Sequence, residues 1–566
     1  MSSNRLLPIL MGFVVVLILA VGVTFVVVLA GGGDGNGSPS SPSNDDGGNG
    51  NGSGNGNNSG PSADGFCEAS HLITFGSDPA TILDPIQVRD DGTSEYIVEI
   101  FGGLVTLDLN LQVQGDIADT WDISPDGLVY TFHIRDGVVF QNNRRVTAED
   151  VKYSLERAAD PANNSPTALL YLGGIKGFKD RFNNKATEVS GIQVIDQSTI
   201  QITLDAPREW FISELTYPVA YVVDKNQIES DPRGWTRQPN GTGPYRLAEF
   251  SPAERIELVR NDSYHLGKPL LERVTFDLGG GSLATRYENN EIHIGAVPPT
   301  ELQAVQDGSS QLSSEYHPQP RMALSYIAFN VDKAPFDDPN VRKGLAMTVD
   351  RETINHLLFF DAWRVADGIL PPEMPGYDES VTSYQFNVDE AKRLLAQSKY
   401  ADNMPRIILT YGGGAGDAPD TLVAIQDGWK QNLGIDVELQ ATDYSAFLRE
   451  LRRGTFQMYS AGWAADYPDP EDFIDKLWAS DSQQNEQGYD NPEVDAIIMQ
   501  ARAETDRTKR FALLNQAEQM ILDDAAIIPT FWPVDHLLVK PCVKNWPEVS
   551  MTVPKYRYIE IDPNAR

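Results

Sequence analysis

The sequence predicts an α/β fold with several lobes. Three segments alternate apolar and polar side chains with the period of a half-buried strand, namely "GLVYTFHI" (Gly127–Ile134), "TIQITL" (Thr199–Leu204) and "RVTFDL" (Arg273–Leu278). Helix starts stand between such segments, as where Thr147 and Asp150 resemble a capping box around "VKYSLERA". With 566 residues, the chain also exceeds what one hydrophobic core supports, so we expect at least two lobes.

Two further helix starts lie in the second half of the chain. Asp338-Pro339 and Asn491-Pro492 each place a capping side chain ahead of a proline suited to the first helical position. After Asn491, apolar side chains recur at positions 494, 497, 498 and 501, which is helical spacing. Helices and strands are therefore mixed along the chain, which is typical of an α/β or α+β protein.

The composition limits the partners of the protein. The formal net charge is −35, from 80 acidic and 45 basic residues. Such a surface repels nucleic acids and anionic lipid headgroups, so the charge argues against both as binding partners.

The sequence contains no P-loop, no GxGxxG, no HExxH and no GxSxG motif, and its seven histidines are scattered. We therefore expect no cofactor, no metal and no catalytic nucleophile.

The first 66 residues differ from the rest. Leu6–Ala30 is a stretch of 25 residues without a charge, long enough to cross a bilayer. We predict that residues 1–30 form a transmembrane anchor or uncleaved signal, with cleavage after Ala30 as the alternative. Arg5 places the short N-terminus inside and the bulk of the chain on the extracytoplasmic side of the cell membrane. Residues 31–66 are rich in Gly, Ser and Asn and predict a disordered linker.

The most unusual short segment is "AGWAADYPDPEDF" (Ala461–Phe473). Asp469-Pro470-Glu471-Asp472 is explained by a helix start, with a cap, a first-position proline and acids in the first turn. Asp466 has no such explanation. It follows an apolar segment that ends like a strand, and it lies beside Trp463 and Tyr467. These positions predict a carboxylate that faces a cleft, lined by the two aromatic side chains.

Several segments resemble, in the same order along the chain, those of family 5 extracellular solute-binding proteins, the oligopeptide- and dipeptide-binding components of ABC importers. They are "IADTWDISPDGLVYTFHIRDGVVFQNNRRVTAEDVKYSLERAADP" (Ile117–Pro161), "GTGPYRL" (Gly241–Leu247), "VRNDSYH" (Val259–His265), "YIAFNVDKAPFDDPNVRKGLAMTVDRETI" (Tyr326–Ile354), "WKQNLGIDVEL" from Trp429 and "GYDNPEVDAIIMQA" from Gly488.

The resemblance implies a two-lobed flytrap, the type II fold of periplasmic binding proteins, with an extra inserted subdomain. Lobe I would comprise residues 67–327, including the inserted subdomain at about 108–238, and lobe II residues 328–528. Residues 529–566 would return to lobe I, with crossovers near Leu324–Asn330 and Ala526–Pro533.

The two cysteines, Cys67 and Cys542, open and nearly close the part of the chain that looks folded. From the residues alone, a disulfide in an oxidising compartment and two buried free thiols are both open. The resemblance puts both chain ends into one lobe, which favours the disulfide.

The resemblance also assigns ligand contacts. An aspartate three residues after a Gly-Trp pair binds the α-amino group of peptides in the oligopeptide-binding members, and "AGWAADY" gives that role to Asp466. The backbone of Gly462 and Ala464 would bind the peptide as an added strand, and Trp463 would form a wall of the cleft. In lobe I, a matching backbone segment falls on Arg89–Ser94, with Asp91 as the nearest counterpart.

Two positions depart from the family pattern. Ser460 stands where some relatives carry an arginine for the carboxylate of the ligand, and His293 stands where an aspartate is usual. Together with the predicted anchor, the resemblance implies a membrane-tethered receptor, which we expect to be monomeric and to deliver peptides to an ABC permease. The alternatives are the same fold with another solute, such as an oligosaccharide or a metal complex, an extracellular hydrolase that uses Asp466 and Asp469, and a tethered sensor.

Overall fold

The computed structural model describes residues 66–67, 70–76, 82–252, 254–413 and 418–565. The predicted anchor and nearly all of the predicted linker lie outside these residues. In the part of the chain that is described, no helix combines the length and the apolarity needed to cross a membrane.

The strands of the described residues alternate with helices along the whole chain. In order, the strands are β1 His71–Phe75, β2 Val105–Leu107, β3 Val113–Gly115, β4 Ala118–Ile123, β5 Val129–Ile134, β6 Ile192–Asp196, β7 Thr199–Thr203, β8 Tyr245–Ser251, β9 Arg255–Arg260, β10 Arg273–Asp277, β11 Ile294–Ala296, β12 Tyr316–Pro320, β13 Ala323–Phe329, β14 Arg364–Val365, β15 Ile407–Gly412, β16 Val437–Thr442, β17 Met458–Ala464, β18 Ile527–Trp532, β19 Val534–Val539, β20 Val543–Lys544 and β21 Glu560–Ile561.

The α-helices are α1 Asp91–Ile100, α2 Ala148–Ala159, α3 Ala168–Leu172, α4 Phe178–Phe182, α5 Phe211–Glu214, α6 Lys225–Ser230, α7 Leu283–Glu288, α8 Pro299–Gln306, α9 Pro339–Ala346, α10 Arg351–Phe359, α11 Val388–Leu395, α12 Asp420–Leu433, α13 Tyr444–Leu451, α14 Asp475–Trp478, α15 Pro492–Ala503 and α16 Arg507–Asp523.

The predicted elements are confirmed where the sequence signals were strong. The three alternating segments form β5, β7 and β10. Asp150 accepts a hydrogen bond from the Thr147 backbone N–H at 2.9 Å, as a capping box requires. Asp338 and Asn491 cap α9 and α15, each with a proline in the first turn. The prediction of an α/β protein is correct.

Two four-stranded sheets belong to what we call the first body. One has the order β1-β10-β9-β8, and the other has the order β4-β5-β7-β6. Their apolar faces share one hydrophobic core, drawn from residues 72–294 and from the C-terminal residues 539–561, with Tyr467 added from the segment between them. The C-terminal segment therefore packs with the N-terminal part of the chain, although the whole second body lies between them in sequence.

The second body is built on a six-stranded sheet with the order β14-β18-β13-β17-β15-β16. The chain enters this sheet along β13 and leaves it along β18, and these two strands are antiparallel neighbours. Both strands lie at the predicted crossovers. A further three-stranded sheet has the order β11-β19-β12. Two of its strands adjoin the crossover strands in sequence, since β12 precedes β13 and β19 follows β18.

A disulfide joins Cys67 to Cys542 across a sequence separation of 475. Cys542 is buried in the core of the first body, and Cys67 packs against that core. The bond thus ties the first described residues to the C-terminal segment. His293 lies close enough to both sulfur atoms to suggest a metal ligand set, but the sulfurs are bonded to each other.

Candidate functional site

The candidate site begins at β17, which is paired over its full length on one side and over half of it on the other. Its partner β13 reaches Ala464, which pairs with Ala323. On the other side, the parallel strand β15 pairs only with Met458–Ser460. Positions 461–464 therefore have no second partner strand within the described sheet, and Gly462 is exposed. This half-free edge contains Gly462 and Ala464, whose backbone is predicted to bind an added peptide strand.

Asp466 lies just beyond this strand, at the contact between the two bodies. Its carboxylate accepts a hydrogen bond from the hydroxyl of Tyr171, which belongs to α3 of the first body. The Tyr171 ring is buried and stacks on Tyr217 with 4.1 Å between ring centroids. The predicted ligand carboxylate is thus neither turned to bulk solvent nor held by an arginine.

Burial governs the charge of Asp466. Desolvation raises the pKa of its carboxyl group to about 6, against the opposing effects of the Tyr171 hydrogen bond and the Lys476 ammonium. The Asp91 carboxylate of the first body adds to the increase. A cationic group that approached Asp466 would be attracted by its carboxylate in the ionised form.

Asp91, the predicted counterpart of Asp466 in the first body, lies at the start of a helix. Residues 91–94 form the first turn of α1, so this part of the predicted backbone segment is helical. The Asp91 carboxylate contacts Arg321 and the hydroxyl of Thr552. Burial alone would raise the pKa of Asp91, but the Arg321 charge and the Thr552 hydrogen bond together hold it below its usual value. Asp91 is therefore already paired.

Tyr467 also differs from the prediction. Its ring is 0% exposed, so it does not line an open cleft in this structure. The Tyr467 hydroxyl donates a hydrogen bond to Glu471 and accepts one from the ammonium group of Lys476. A prediction based on the neighbourhood of Asp466 in sequence could not distinguish a ligand contact from this buried support.

Lys476 is the central residue that the sequence analysis missed. It is only 3% exposed, and its Nζ lies 3.4 Å from Glu214 Oε1 of the first body. The ammonium group also lies over the rings of Tyr171 and Tyr467, at 4.4 and 4.1 Å from their centroids. A lysine inside the apolar sequence "FIDKLW" was the available signal. Nothing in the sequence linked it to Glu214.

Several carboxylates share this one lysine. Nζ of Lys476 lies 3.7 Å from Glu471 and 4.0 Å from Asp472. Burial raises the pKa of Glu471 to about 8, and it raises that of Asp472 well above its usual value. Three acids, Glu214, Glu471 and Asp472, therefore surround the single ammonium group of Lys476. At neutral pH the cluster either carries bound protons or is stabilised by a further cation.

The predicted helix start at Asp469 is confirmed and has a second function. The Asp469 side chain caps a short 3-10 helix, Pro470–Asp472, by accepting from the Glu471 N–H at 3.0 Å. It also pairs with Arg510, and Arg510 lies 2.6 Å from Glu209 of the first body. Asp469 is therefore already paired with a backbone N–H and with a guanidinium group.

The two departures from the family pattern lie in different places. Ser460 is in β17, where it pairs with Ile327 on one side and Tyr411 on the other. His293 is buried in the first body, and its Nδ1 accepts the Ile73 N–H at 3.0 Å. Burial lowers the pKa of His293 to about 4, so this side chain is neutral. His293 therefore supplies no charge to the candidate site.

Comparison with known proteins agrees with this architecture. Residues 112–485 match the model for "Bacterial extracellular solute-binding proteins, family 5 Middle". The periplasmic oligopeptide-binding protein OppA of Escherichia coli is 30% identical over 86% of this chain and 91% of its own. The probable deoxycholate-binding periplasmic protein YgiS of the same organism is 31% identical over 83% of this chain and 89% of its own.

Solved structures give the same result. The murein tripeptide binding protein MppA of Escherichia coli superimposes with a TM-score of 0.75 at 28% identity, over 87% of this chain and 98% of its own. OppA of Haemophilus influenzae, solved in complex with RPPGFSPFR, gives a TM-score of 0.74 at 25% identity, over 87% of this chain and 99% of its own. The protein therefore has the α/β periplasmic-binding-protein fold and is a member of the bacterial extracellular solute-binding proteins of family 5.

Proposed function

We propose that the protein captures peptides between its two bodies and delivers them to an ABC transporter permease. The observation that carries the proposal is the position of Asp466, a partly shielded carboxylate at the contact between the bodies, two residues beyond the half-free edge of β17. A peptide that extends this edge would bring its α-ammonium group to that carboxylate. The relatives OppA, an oligopeptide-binding protein, and MppA, a murein tripeptide binding protein, support the same ligand class.

Ligand binding acts through closure. Asp466, Lys476 and Arg510 of the second body each contact a residue of the first body, namely Tyr171, Glu214 and Glu209. A ligand held by both bodies favours this closed arrangement by the difference between its affinities for the closed and open forms. The closed form would then dock on the permease, while the open form would not.

The remaining parts of the proposal concern location and domain limits. Lobe I comprises residues 67–327 and 529–566, and lobe II comprises residues 328–528. The shared core of residues 72–294 and 539–561 supports this division. The apolar stretch Leu6–Ala30 and the Gly/Ser/Asn-rich segment after it support a receptor that is tethered to the extracytoplasmic side of the membrane. We expect this receptor to act as a monomer.

Two measurements test the function. Native mass spectrometry of protein purified without denaturation is expected to show bound masses that fragment as peptides. Isothermal titration calorimetry with unblocked tri-, tetra- and pentaalanine is then expected to give saturable binding after the bound ligand has been removed. Retention of a steroid, a saccharide or a metal complex, together with no heat from any peptide, would contradict the proposal. The mass of the bound molecule distinguishes a peptide from these other solutes before any variant is made.

A further inference from the structure

The side chain of Asp472 contacts two residues of the candidate site, Asp466 and Trp463. Its Oδ2 atom accepts a hydrogen bond from the backbone N–H of Asp466 at 3.0 Å. The same oxygen accepts a hydrogen bond from the indole N–H of Trp463 at 3.2 Å. One buried oxygen atom therefore holds both the residue that carries the ligand carboxylate and the side chain predicted to form the cleft wall.

Asp472 is costly to keep in this position. The side chain is 0% exposed, and its second oxygen, Oδ1, has no hydrogen-bond partner among the described residues. The Lys476 ammonium group lies 4.0 Å from that oxygen, beyond hydrogen-bond distance. Helix capping does not require the Asp472 side chain, since Asp469 caps the short helix. A buried polar group with such a cost and no part in the cap indicates a specific function.

The geometry explains which function this is. Asp466 follows the last pairing of β17, so its own backbone has no strand partner to fix it. The next hydrogen bond toward the sheet is from the Ala465 N–H to Met322 O at 2.8 Å, and Asp472 takes the N–H of Asp466 itself. Without this acceptor, the Asp466 backbone could rotate and its carboxylate would leave the end of the half-free edge.

We propose that Asp472 is the positioning residue of the ligand site, which orients Asp466 and Trp463 through its single oxygen Oδ2. The assignment rests on the proposed function of Asp466 as the ammonium ligand. It requires an acceptor at position 472 and does not require a negative charge there. Asparagine, which is nearly isosteric and keeps an oxygen acceptor, should therefore replace aspartate, whereas alanine and serine cannot span both donors.

The test compares Asp472→Asn with Asp472→Ala by calorimetry, using one unblocked pentapeptide and its N-acetylated form. Asp472→Asn is expected to bind the unblocked peptide within about threefold of the native protein. Asp472→Ala is expected to lose about tenfold or more for the unblocked peptide, because a buried N–H loses its partner, with a much smaller loss for the acetylated peptide. Asp472→Ser provides the same comparison if the alanine variant does not fold.

A second measurement does not depend on the ligand. Hydrogen–deuterium exchange of the fragment spanning residues 461–473 is expected to be faster in Asp472→Ala and unchanged in Asp472→Asn. Equal losses for both peptides, failure of asparagine to restore binding, or unchanged exchange in Asp472→Ala would overturn the assignment. If the native protein does not prefer the unblocked peptide, the ammonium site fails, and the exchange comparison alone decides whether Asp472 fixes the Asp466 backbone.

Discussion

The Tyr171 hydroxyl donates a hydrogen bond to the Asp466 carboxylate and so joins the first body to the predicted ligand site. This contact gives Asp466 two properties at once. It holds the carboxylate at the contact between the bodies, and it partly offsets the burial that raises the pKa of Asp466 to about 6. The hydroxyl donates only to Oδ2, so Oδ1 can still accept from a ligand ammonium group. Both the pH and the loss of the Tyr171 hydroxyl should therefore change the affinity of the site.

The first prediction concerns pH. Because an ammonium group binds the ionised carboxylate, affinity for unblocked peptides should fall as the pH decreases through about 6, by at most about tenfold per pH unit. The Tyr171 hydrogen bond lowers the pKa of Asp466, so Tyr171→Phe should move the midpoint to higher pH. Calorimetry from pH 5 to pH 8 measures both. If the affinity of native protein for the unblocked peptide depended on pH in the same way as its affinity for the N-acetylated peptide, the assignment would be refuted.

The second prediction concerns the ion pair between Lys476 and Glu214, which are 3% and 1% exposed as side chains. Lys476→Met leaves Glu214, Glu471 and Asp472 without their cation, and loss of one partner from such a buried pair costs about 3–5 kcal/mol. Glu214→Gln should cost less, because Lys476 keeps Glu471 and Asp472 as neighbours. Urea unfolding of both single variants and of the double variant gives the coupling energy.

Lys225→Met is the matched control for this experiment. Lys225 pairs with Glu229 at 3.7 Å on the exposed surface of the first body, where such pairs contribute little. A Lys476→Met variant as stable as the Lys225→Met variant would show that Lys476 does not hold the bodies together.

The third prediction concerns Glu99, a buried acid of the first body. Its Oε1 accepts the N–H groups of Lys555 and Tyr556 at 2.7 and 3.1 Å, and burial raises its pKa from 4.5 to about 7. Native protein binds this proton more tightly than the unfolded chain does, so stability from this group is present at low pH. It is lost as pH rises between about 4.5 and 7.

Glu99→Gln keeps an acceptor oxygen and removes the proton equilibrium. The difference in unfolding free energy between native protein and this variant should therefore change by up to about 3 kcal/mol between pH 5 and pH 8. Denaturant titrations at these two pH values measure it. A difference that does not depend on pH would mean that Glu99 is ionised in both states.

The fourth prediction concerns the disulfide between Cys67 and Cys542, which closes a loop of 475 positions. Replacing both cysteines with serine should lower the unfolding free energy by about 2–5 kcal/mol, because the unfolded chain regains the freedom of that loop. Peptide affinity should not change, since neither residue lies at the candidate site. Thermal unfolding and calorimetry on the same samples test both parts. A loss of peptide affinity without a loss of stability would contradict this account.

The sequence predicted the parts of the fold that depend on local periodicity and capping. Strands β5, β7 and β10 and the starts of α2, α9 and α15 follow from patterns within a few residues. The resemblance added the predicted role of Asp466 as the ligand of a peptide α-amino group. The contacts of Lys476 with Glu214, which is 262 positions away, come from packing of distant segments. No local pattern predicts such contacts.

Asp472 illustrates the same limit within one segment. Helix starting explains an acid at this position, and the sequence offered no reason to look further. Only the turn between Asp466 and the short helix brings its oxygen to the backbone N–H of Asp466 and the indole of Trp463. Tyr467 shows the opposite error, since this residue lies beside the predicted ligand carboxylate in sequence but is buried in the core.

The central claim is that Asp466 binds the α-ammonium group of a peptide, and one calorimetric comparison tests it most directly. Native protein and Asp466→Ala are titrated with the same pentapeptide in unblocked and N-acetylated form. The account predicts that Asp466→Ala loses about 2–5 kcal/mol of binding free energy for the unblocked peptide and almost none for the acetylated one. Equal losses for the two peptides, or no loss for either, would contradict it.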